Sequence, residues 1–322
     1  MSGRRHVSIA VLFPGQGSQQ VGMGAELFDA FPELLGEVSD DILGWSIRDV
    51  CLDGPEEELT RTEHAQPALF AISYALWLSF REAYDGPIAA GAGHSLGEYT
   101  ALCAAGALGY EDALKVVGKR GEAMARAAQV EPSGMAALIG ADASLAEEVS
   151  ADRRAQGGRL EVANINAPGQ VVLAGSAEDI AWVTENARDL GVRRVVPLKV
   201  AGAFHSEFMA PASEEVGAAL ETVRFAEPEF PVWSNTTAAP HQTSDIAETL
   251  RSQVTSAVRF SESLEEMSAI GVDTFVHVGP GDVTAGMAKR TVEGSTVHVV
   301  SELSDIPGVV DSIVNVMTQE PS

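Results

Sequence analysis

Between residues 88 and 108 the chain passes from a run of small side chains to an Ala- and Leu-rich stretch, and the junction reads Gly93-His94-Ser95-Leu96-Gly97. Ile88-Ala89-Ala90-Gly91-Ala92 reads as a short buried strand, and Leu96 to Leu108, which has no proline, reads as a helix. A serine at such a junction sits on a turn so tight that only flanking glycines accommodate it. Its hydroxyl is lifted out of the fold, and the N–H groups at the helix start face whatever bonds to it. A negative oxygen formed there meets the Leu96 N–H and the positive end of the helix dipole. That is the geometry of acyl transfer through a covalent serine ester. A five-residue pattern with two free positions also arises by chance. The strand before it and the helix after it favour the functional reading, without separating a hydrolase from a transferase.

The 322 residues, 45% hydrophobic and 21% charged, are enough for a large core and exclude a disordered chain. The net charge of −25, from 46 acidic and 21 basic residues, leaves no basic stripe for nucleic acid. Cys51 and Cys103 are too few for a metal cluster, and the seven histidines show no H-x-x-x-H spacing, so no metal is expected. Arg4-Arg5 before Val7–Phe13 suggests an export signal, but the apolar run is short and stops at Pro14-Gly15, as a first strand does. Ala68–Leu78 is too short to cross a bilayer. A cytoplasmic protein without membrane contact is expected.

Val7–Phe13 opens into Pro14-Gly15-Gln16-Gly17-Ser18-Gln19-Gln20, which lacks the third glycine of a dinucleotide site and the G-K-[ST] of a P-loop. Helical stretches follow at 24–42 and 66–82. Within 133–199 the order is strand 135–139, helix 144–155, strand 160–164, strand 171–174, helix 177–190 and strand 192–198, the β-α-β-β-α-β of a ferredoxin-like unit. Helices near 206–222, 243–255 and 261–270 then alternate with strands near 230–234, 273–278 and 296–300. Alternating elements imply a parallel sheet covered on both faces. The expected organisation is an α/β core from 1–132 and 200–322, with a ferredoxin-like subdomain at 133–199.

A serine hydroxyl needs a base within hydrogen-bond reach. His205, in Gly202-Ala203-Phe204-His205-Ser206 before a helix, is the best placed, on a loop at the sheet's edge. His94 adjoins Ser95 but points away on such a turn, so it reads as structural; His277, between two valines on a strand, reads as a core residue. Among 46 acidic residues no third triad member stands out. Arg120 falls on the apolar face of Asp112–Ala128 with Ala113, Val117, Met124 and Ala127. A buried arginine needs an anion, and its planar fork suits a carboxylate. An internal Asp or Glu and a substrate carboxylate fit that requirement equally.

Six ordered motifs now carry a resemblance: Phe13-Pro14-Gly15-Gln16-Gly17-Ser18-Gln19, Gly93 to Tyr99, Arg120-Gly121, Asn164 to Gln170, Gly202-Ala203-Phe204-His205 and Val278-Gly279-Pro280-Gly281. Over nearly its whole length the chain resembles the malonyl-CoA:acyl carrier protein transacylases of fatty-acid synthesis. The resemblance implies an α/β-hydrolase-like core with parallel sheet plus an inserted ferredoxin-like subdomain. It implies Ser95 as nucleophile, His205 as base, backbone N–H groups of Gln16 and Leu96 at the oxyanion, and Arg120 on the malonyl carboxylate. The family orients its histidine with a backbone carbonyl, and Gln253 matches the glutamine concerned. Asn164 and Asn166 are placed on the thioester side of the cleft, and Phe204 resembles the malonyl-selective form of its loop. No permanently bound cofactor is implied; malonyl-CoA is a substrate, acyl carrier protein the acceptor, and a monomer is expected. The alternatives are a serine esterase or thioesterase with water as acceptor, a malonyl transferase of a polyketide pathway, and a non-catalytic binding protein. A carrier-docking patch is sought among Lys115, Lys119, Arg193, Arg194, Lys289 and Arg290.

Overall fold

A computed structural model describes residues 7–318. Its strands are β1 (Ile9–Phe13), β2 (Ala90–Gly93), β3 (Ser133–Ile139), β4 (Leu160–Ala167), β5 (Gln170–Ser176), β6 (Arg194–Pro197), β7 (Val232–Trp233), β8 (Thr274–Val278) and β9 (Thr296–Val300). All five apolar residues of β1 are buried, which requires cover on both faces of its sheet. That sheet has the order β7-β2-β1-β8-β9, and every pairing in it is parallel.

Alternation along β1 distributes its side chains between two layers. Ile9, Val11 and Phe13 pack with Leu69, Ile72 and Leu76 of the helix Thr62–Ala83. Ala10 and Leu12 pack on the other face with Phe260, Leu264 and Met267 of the helix Phe260–Ala269 and with Met287. β2 is built from Ala and Gly because there is no room for more. A Cβ on Gly93 would lie 1.8 Å from the Gly97 carbonyl carbon, and one on Gly97 would lie 2.4 Å from the Phe13 oxygen. The strand–turn–helix around Ser95 therefore closes onto the end of β1.

The second sheet is antiparallel, in the order β4-β5-β3-β6. With the helices Ala143–Ala155 and Ala177–Glu185 it encloses its own apolar cluster around Leu138, Leu160, Leu173 and Val183. The β-α-β-β-α-β order read from 133–199 is present. β4 also touches the larger sheet's surroundings: the Ile165 N–H donates to the Val258 carbonyl at 2.8 Å, and the Val258 N–H to the Ala163 carbonyl at 2.9 Å.

Several boundaries differ from the sequence reading. The helix expected at 24–42 is broken into Ala25–Ala30, a π-helical turn at Glu33–Val38 and Ser39–Leu43; Pro32 stands at the first break, where a proline removes a helical donor. The strand expected at 230–234 keeps only Val232 and Trp233, at the sheet edge beside Pro231. The helix expected at 177–190 ends at Glu185, and that expected at 206–222 runs over Ala210–Leu220 after a 3₁₀ turn. Cys51 and Cys103 are free and buried. Among the described residues no helix is long and apolar enough to cross a membrane. The Arg4-Arg5 pair lies outside the described residues.

Candidate active site

The site lies at the carboxyl ends of the parallel strands, where ligands of such sheets collect. β1 delivers the Pro14–Gln20 loop and β2 delivers Ser95. Ser95 has φ 51° and His205 has φ 59°, both in the left-handed region that side chains other than glycine rarely occupy. Strain of this kind persists only where surrounding contacts impose it. At Ser95 the Asn235 side chain imposes it: Oδ1 accepts from the Ser95 N–H at 2.7 Å and Nδ2 donates to the Gly93 carbonyl at 2.7 Å.

Ser95 Oγ and His205 Nε2 are 2.7 Å apart. On the other side of the ring, Nδ1 lies 2.8 Å from the Gln253 carbonyl oxygen. A carbonyl only accepts, so Nδ1 carries the proton and Nε2 is left bare to accept from the serine. The third member of the arrangement is thus a backbone oxygen rather than a carboxylate. Burial, reinforced by the positive charge of Arg120, pushes the His205 pKa down to about 3, and the imidazole is neutral at ordinary pH.

Arg120 projects from the helix Tyr110–Ala127 and is 1% exposed. Nη1 donates to Gln66 Oε1 at 2.6 Å, and Nη2 donates to Gln253 Oε1 at 2.9 Å and to Ser95 Oγ at 3.0 Å. Nε has no partner. Among the described residues Arg120 forms no ion pair, so the internal Asp or Glu partner that the sequence allowed is not there. Its pKa is lowered by burial. A full cation held by neutral oxygens in a dry wall is the setting in which an incoming carboxylate is most strongly favoured.

One cleft of about 260 Å³ is lined by Gln16, Ser95, Leu96, Arg120, Asn164, Asn166, Phe204 and His205, eight of the nine residues singled out in the sequence. Gln253, the ninth, is fully buried behind the cleft wall and touches it through Arg120 and His205. The N–H groups of Gln16 and Leu96 donate to no protein acceptor among the described residues, while that of Ser95 is taken by Asn235. Two amides are therefore free to receive a developing oxyanion. Register shifts in β4 around Asn164 and Asn166 mark irregular backbone, and bulges of this kind re-aim side chains beside active sites.

The sequence treated His94 as structural and pointing away. In the structure it borders the cleft, its Nε2 is 2.8 Å from Asn166 Oδ1, and burial lowers its pKa. His277 is a core residue, with Nδ1 2.6 Å from Thr284 Oγ1 and Nε2 2.9 Å from the Gly279 carbonyl. Sequence reading missed Gln66, Asn235, His241 and Glu98. Glu98 had a signal: an acid in a stretch where Gly97, Tyr99, Thr100 and Ala101 are all small or apolar-faced, and all of them are buried.

A strained serine at a strand–helix junction, a neutral histidine and two free amides define a serine acyl-transfer centre. The sequence profile of the acyl transferase domain matches residues 11–311, and the chain belongs to that family. It is 42% identical to the malonyl CoA-acyl carrier protein transacylase of Bacillus subtilis (strain 168), over 88% of this chain and 90% of that protein. The crystal structure of an acyl carrier protein S-malonyltransferase from Vibrio cholerae O1 biovar eltor str. N16961 matches with a TM-score of 0.89 and 35% identity, covering 94% of this chain and 99% of that one. A malonyl-transacylase solved in complex with its type II PKS acyl-carrier protein matches with a TM-score of 0.89 and 34% identity, over 95% and 99% of the two chains.

Proposed function

We propose that the chain moves a malonyl group from malonyl-CoA to the phosphopantetheine thiol of an acyl carrier protein, by way of an ester on Ser95. His205 Nε2 takes the Ser95 Oγ proton as that oxygen attacks the thioester carbonyl. The oxyanion lies against the N–H groups of Gln16 and Leu96. The C–S bond breaks and the imidazolium returns the proton to the departing CoA sulfur. The carrier thiol then gives its proton to the same nitrogen and attacks the ester, and Ser95 Oγ leaves with that proton. Arg120 holds the free carboxylate throughout, Asn164 and Asn166 flank the thioester, and Phe204, 6% exposed, limits the acyl end of the cleft.

The observation that carries this reading is the Arg120 guanidinium, buried without a counter-ion and 3.0 Å from the nucleophile. An esterase for neutral acyl groups has no use for it. Mass spectrometry after incubation with malonyl-CoA tests the reading: one malonyl adduct on Ser95 is expected, transferable to carrier protein, and free malonate as the main product would favour the hydrolase. Delivery to a polyketide carrier is a second reading, supported by the likeness to the transacylase bound to a type II PKS carrier protein.

For the carrier we favour a basic face of Arg193, Arg194, Lys289 and Arg290, which form no ion pair among the described residues. Lys115 is paired with Glu111 and Asp112, and Lys119 with Glu122, so these two leave the patch. We also infer the division into a core of 1–132 and 200–322 and a 133–199 subdomain, action as a monomer, and a cytoplasmic location. Sedimentation velocity tests the monomer.

A further inference from the structure

Beneath the nucleophile lies a buried polar cluster whose centre is Glu98, in the first turn of the helix Gly97–Ala104. Its side chain is 0% exposed, and that of His241 beside it 1%. A carboxylate this deep persists only if its oxygens are well supplied with donors. Glu98 Oε1 lies 2.7 Å from His241 Nε2, and Oε2 accepts from the Asn235 N–H at 3.0 Å and from Gln253 Nε2 at 2.7 Å. Asn235 and His241 both come from the loop after β7, which is folded on itself by a 2.9 Å bond from the Ser234 N–H to the Ala239 carbonyl.

Gln253 is held between the carboxyl group of Glu98 and the guanidinium of Arg120. Nε2 faces Glu98 and the Ser95 carbonyl, the latter at 2.9 Å, and Oε1 faces Arg120. Glu98 Oε2 accepts from two N–H donors and so offers Gln253 an acceptor, and a guanidinium offers donors only. Turning the amide over would set NH₂ against the guanidinium and oxygen against the carboxylate, two repulsive contacts in a dry interior. The backbone carbonyl of this same residue holds His205 Nδ1. We propose that Glu98, anchored by His241, is a positioning residue that fixes the Gln253 amide with its oxygen toward Arg120 and thereby places the guanidinium for the acyl carboxylate. Neither residue touches the cleft; both act through Gln253.

The inference rests on Arg120 as the carboxylate receptor, and the test separates the two. The quantity is the ratio of kcat/KM for malonyl-CoA to that for acetyl-CoA, in variants shown to be folded by circular dichroism. Glu98→Gln, which presents oxygen or NH₂ indifferently, is expected to lower the ratio about tenfold while acetyl transfer changes only a few-fold. The reduction should vanish in the Arg120→Ala background, because the effect runs through Arg120. His241→Leu, which removes the donor to Glu98, should lower the ratio several-fold, and His241→Gln, which restores a donor at the position of Nε2, should stay within about twofold of wild type. If Glu98→Gln does not fold, the Leu and Gln variants at 241 decide. An unchanged ratio in folded Glu98→Gln or His241→Leu overturns the inference, as does an equal loss on both substrates or a reduction that survives in Arg120→Ala. A wild type that takes up no malonyl overturns the proposed function and this inference with it.

Discussion

Arg120 and Arg153 are both largely withdrawn from solvent, and the molecule satisfies them in opposite ways. Arg153, on the helix Ala143–Ala155 beside the antiparallel sheet, has a side chain 15% exposed; Nε donates to Asp179 at 2.5 Å, Nη2 reaches Glu178 at 3.5 Å, and the guanidinium lies 4.9 Å from the Trp182 ring centre. Burial pushes the Asp179 carboxyl up, but hydrogen bonds from Ser176, the Arg159 N–H and Arg153 outweigh it and hold the pKa below its ordinary value. Arg120 is buried more deeply; it too lies over an aromatic ring, that of Tyr99 at 5.6 Å, but its hydrogen bonds go to neutral oxygens. A structural arginine finds its counter-charge on the neighbouring helix, Ala177–Glu185. An arginine left without one, against a nucleophile, is what leads us to propose Arg120 as the receptor for the substrate's carboxylate.

The largest effects belong to the strained pair. Ser95→Ala should abolish acylation, because no other oxygen occupies the turn, and His205→Ala should slow both half-reactions by about 10²–10⁴-fold, since one imidazole removes and returns the proton. Single-turnover transfer followed by mass spectrometry reads both; a malonyl adduct formed at normal rate on Ser95→Ala would falsify the assignment. Next come the two arginines. Arg120→Ala should reduce malonyl transfer by about 10²–10⁴-fold, corresponding to about 3–5 kcal/mol for a broken buried pair. Acetyl transfer should hold or rise, because an acetyl group gains nothing from the cation. Arg153→Ala should do the reverse, lowering stability by roughly 1–3 kcal/mol through the unpaired Asp179 and leaving the malonyl-to-acetyl ratio alone. Chemical denaturation and kcat/KM ratios on the same two variants break the comparison if both arginines behave alike. Smaller again, charge reversal at Arg193, Arg194, Lys289 and Arg290 should raise the carrier-protein KM and leave acylation by malonyl-CoA intact.

The site was legible wherever a residue's type was forced by local geometry. Gly93 and Gly97 announce the serine turn because a Cβ at either meets backbone within 2.4 Å. Arg120 announces itself by standing on an apolar helical stripe, although periodicity alone left open whether an internal acid paired with it. The alternation of strands and helices carried the layer order; the strand expected at 230–234 and the helix expected at 24–42 were placed but drawn too long and too continuous, because propensity does not see how Pro231 and Pro32 cut them. Asn235, Glu98 and His241 were illegible as a group: Glu98 lies 137 residues from Asn235 and 143 from His241 along the chain, and the pairing of β7 with β2 brings them together under Ser95. What the sequence did not show for His94 is its partner: its ring bonds Asn166 and borders the cleft, while the Ser95 hydroxyl bonds His205.

The finest distinction concerns His205 and His277, two buried histidines kept neutral for different ends. Burial depresses His205 to about 3 and His277 to about 4. Both lie below the ordinary value near 6.5, so the unfolded chain takes up protons that the folded chain refuses. The stability they confer is complete above about 6.5 and is lost as pH falls from there toward 3–4, at no more than ~1.4 kcal/mol per pH unit for each group. His277, bonded at both nitrogens, shows only in that slope, and His277→Gln should flatten it in urea titrations between pH 6 and 4.5. His205 has a lone pair aimed at Ser95, and in the proposed mechanism its unprotonated form is the base. Acylation of Ser95 by malonyl-CoA should therefore stay nearly flat between pH 7 and 5, where an ordinary histidine would have lost most of its activity. A rate falling with a midpoint near 6.5 in stopped-flow acylation would show that solvent or substrate restores the imidazole's basicity once the cleft is occupied, with the carboxylate's neutralisation of Arg120 as the first cause to test.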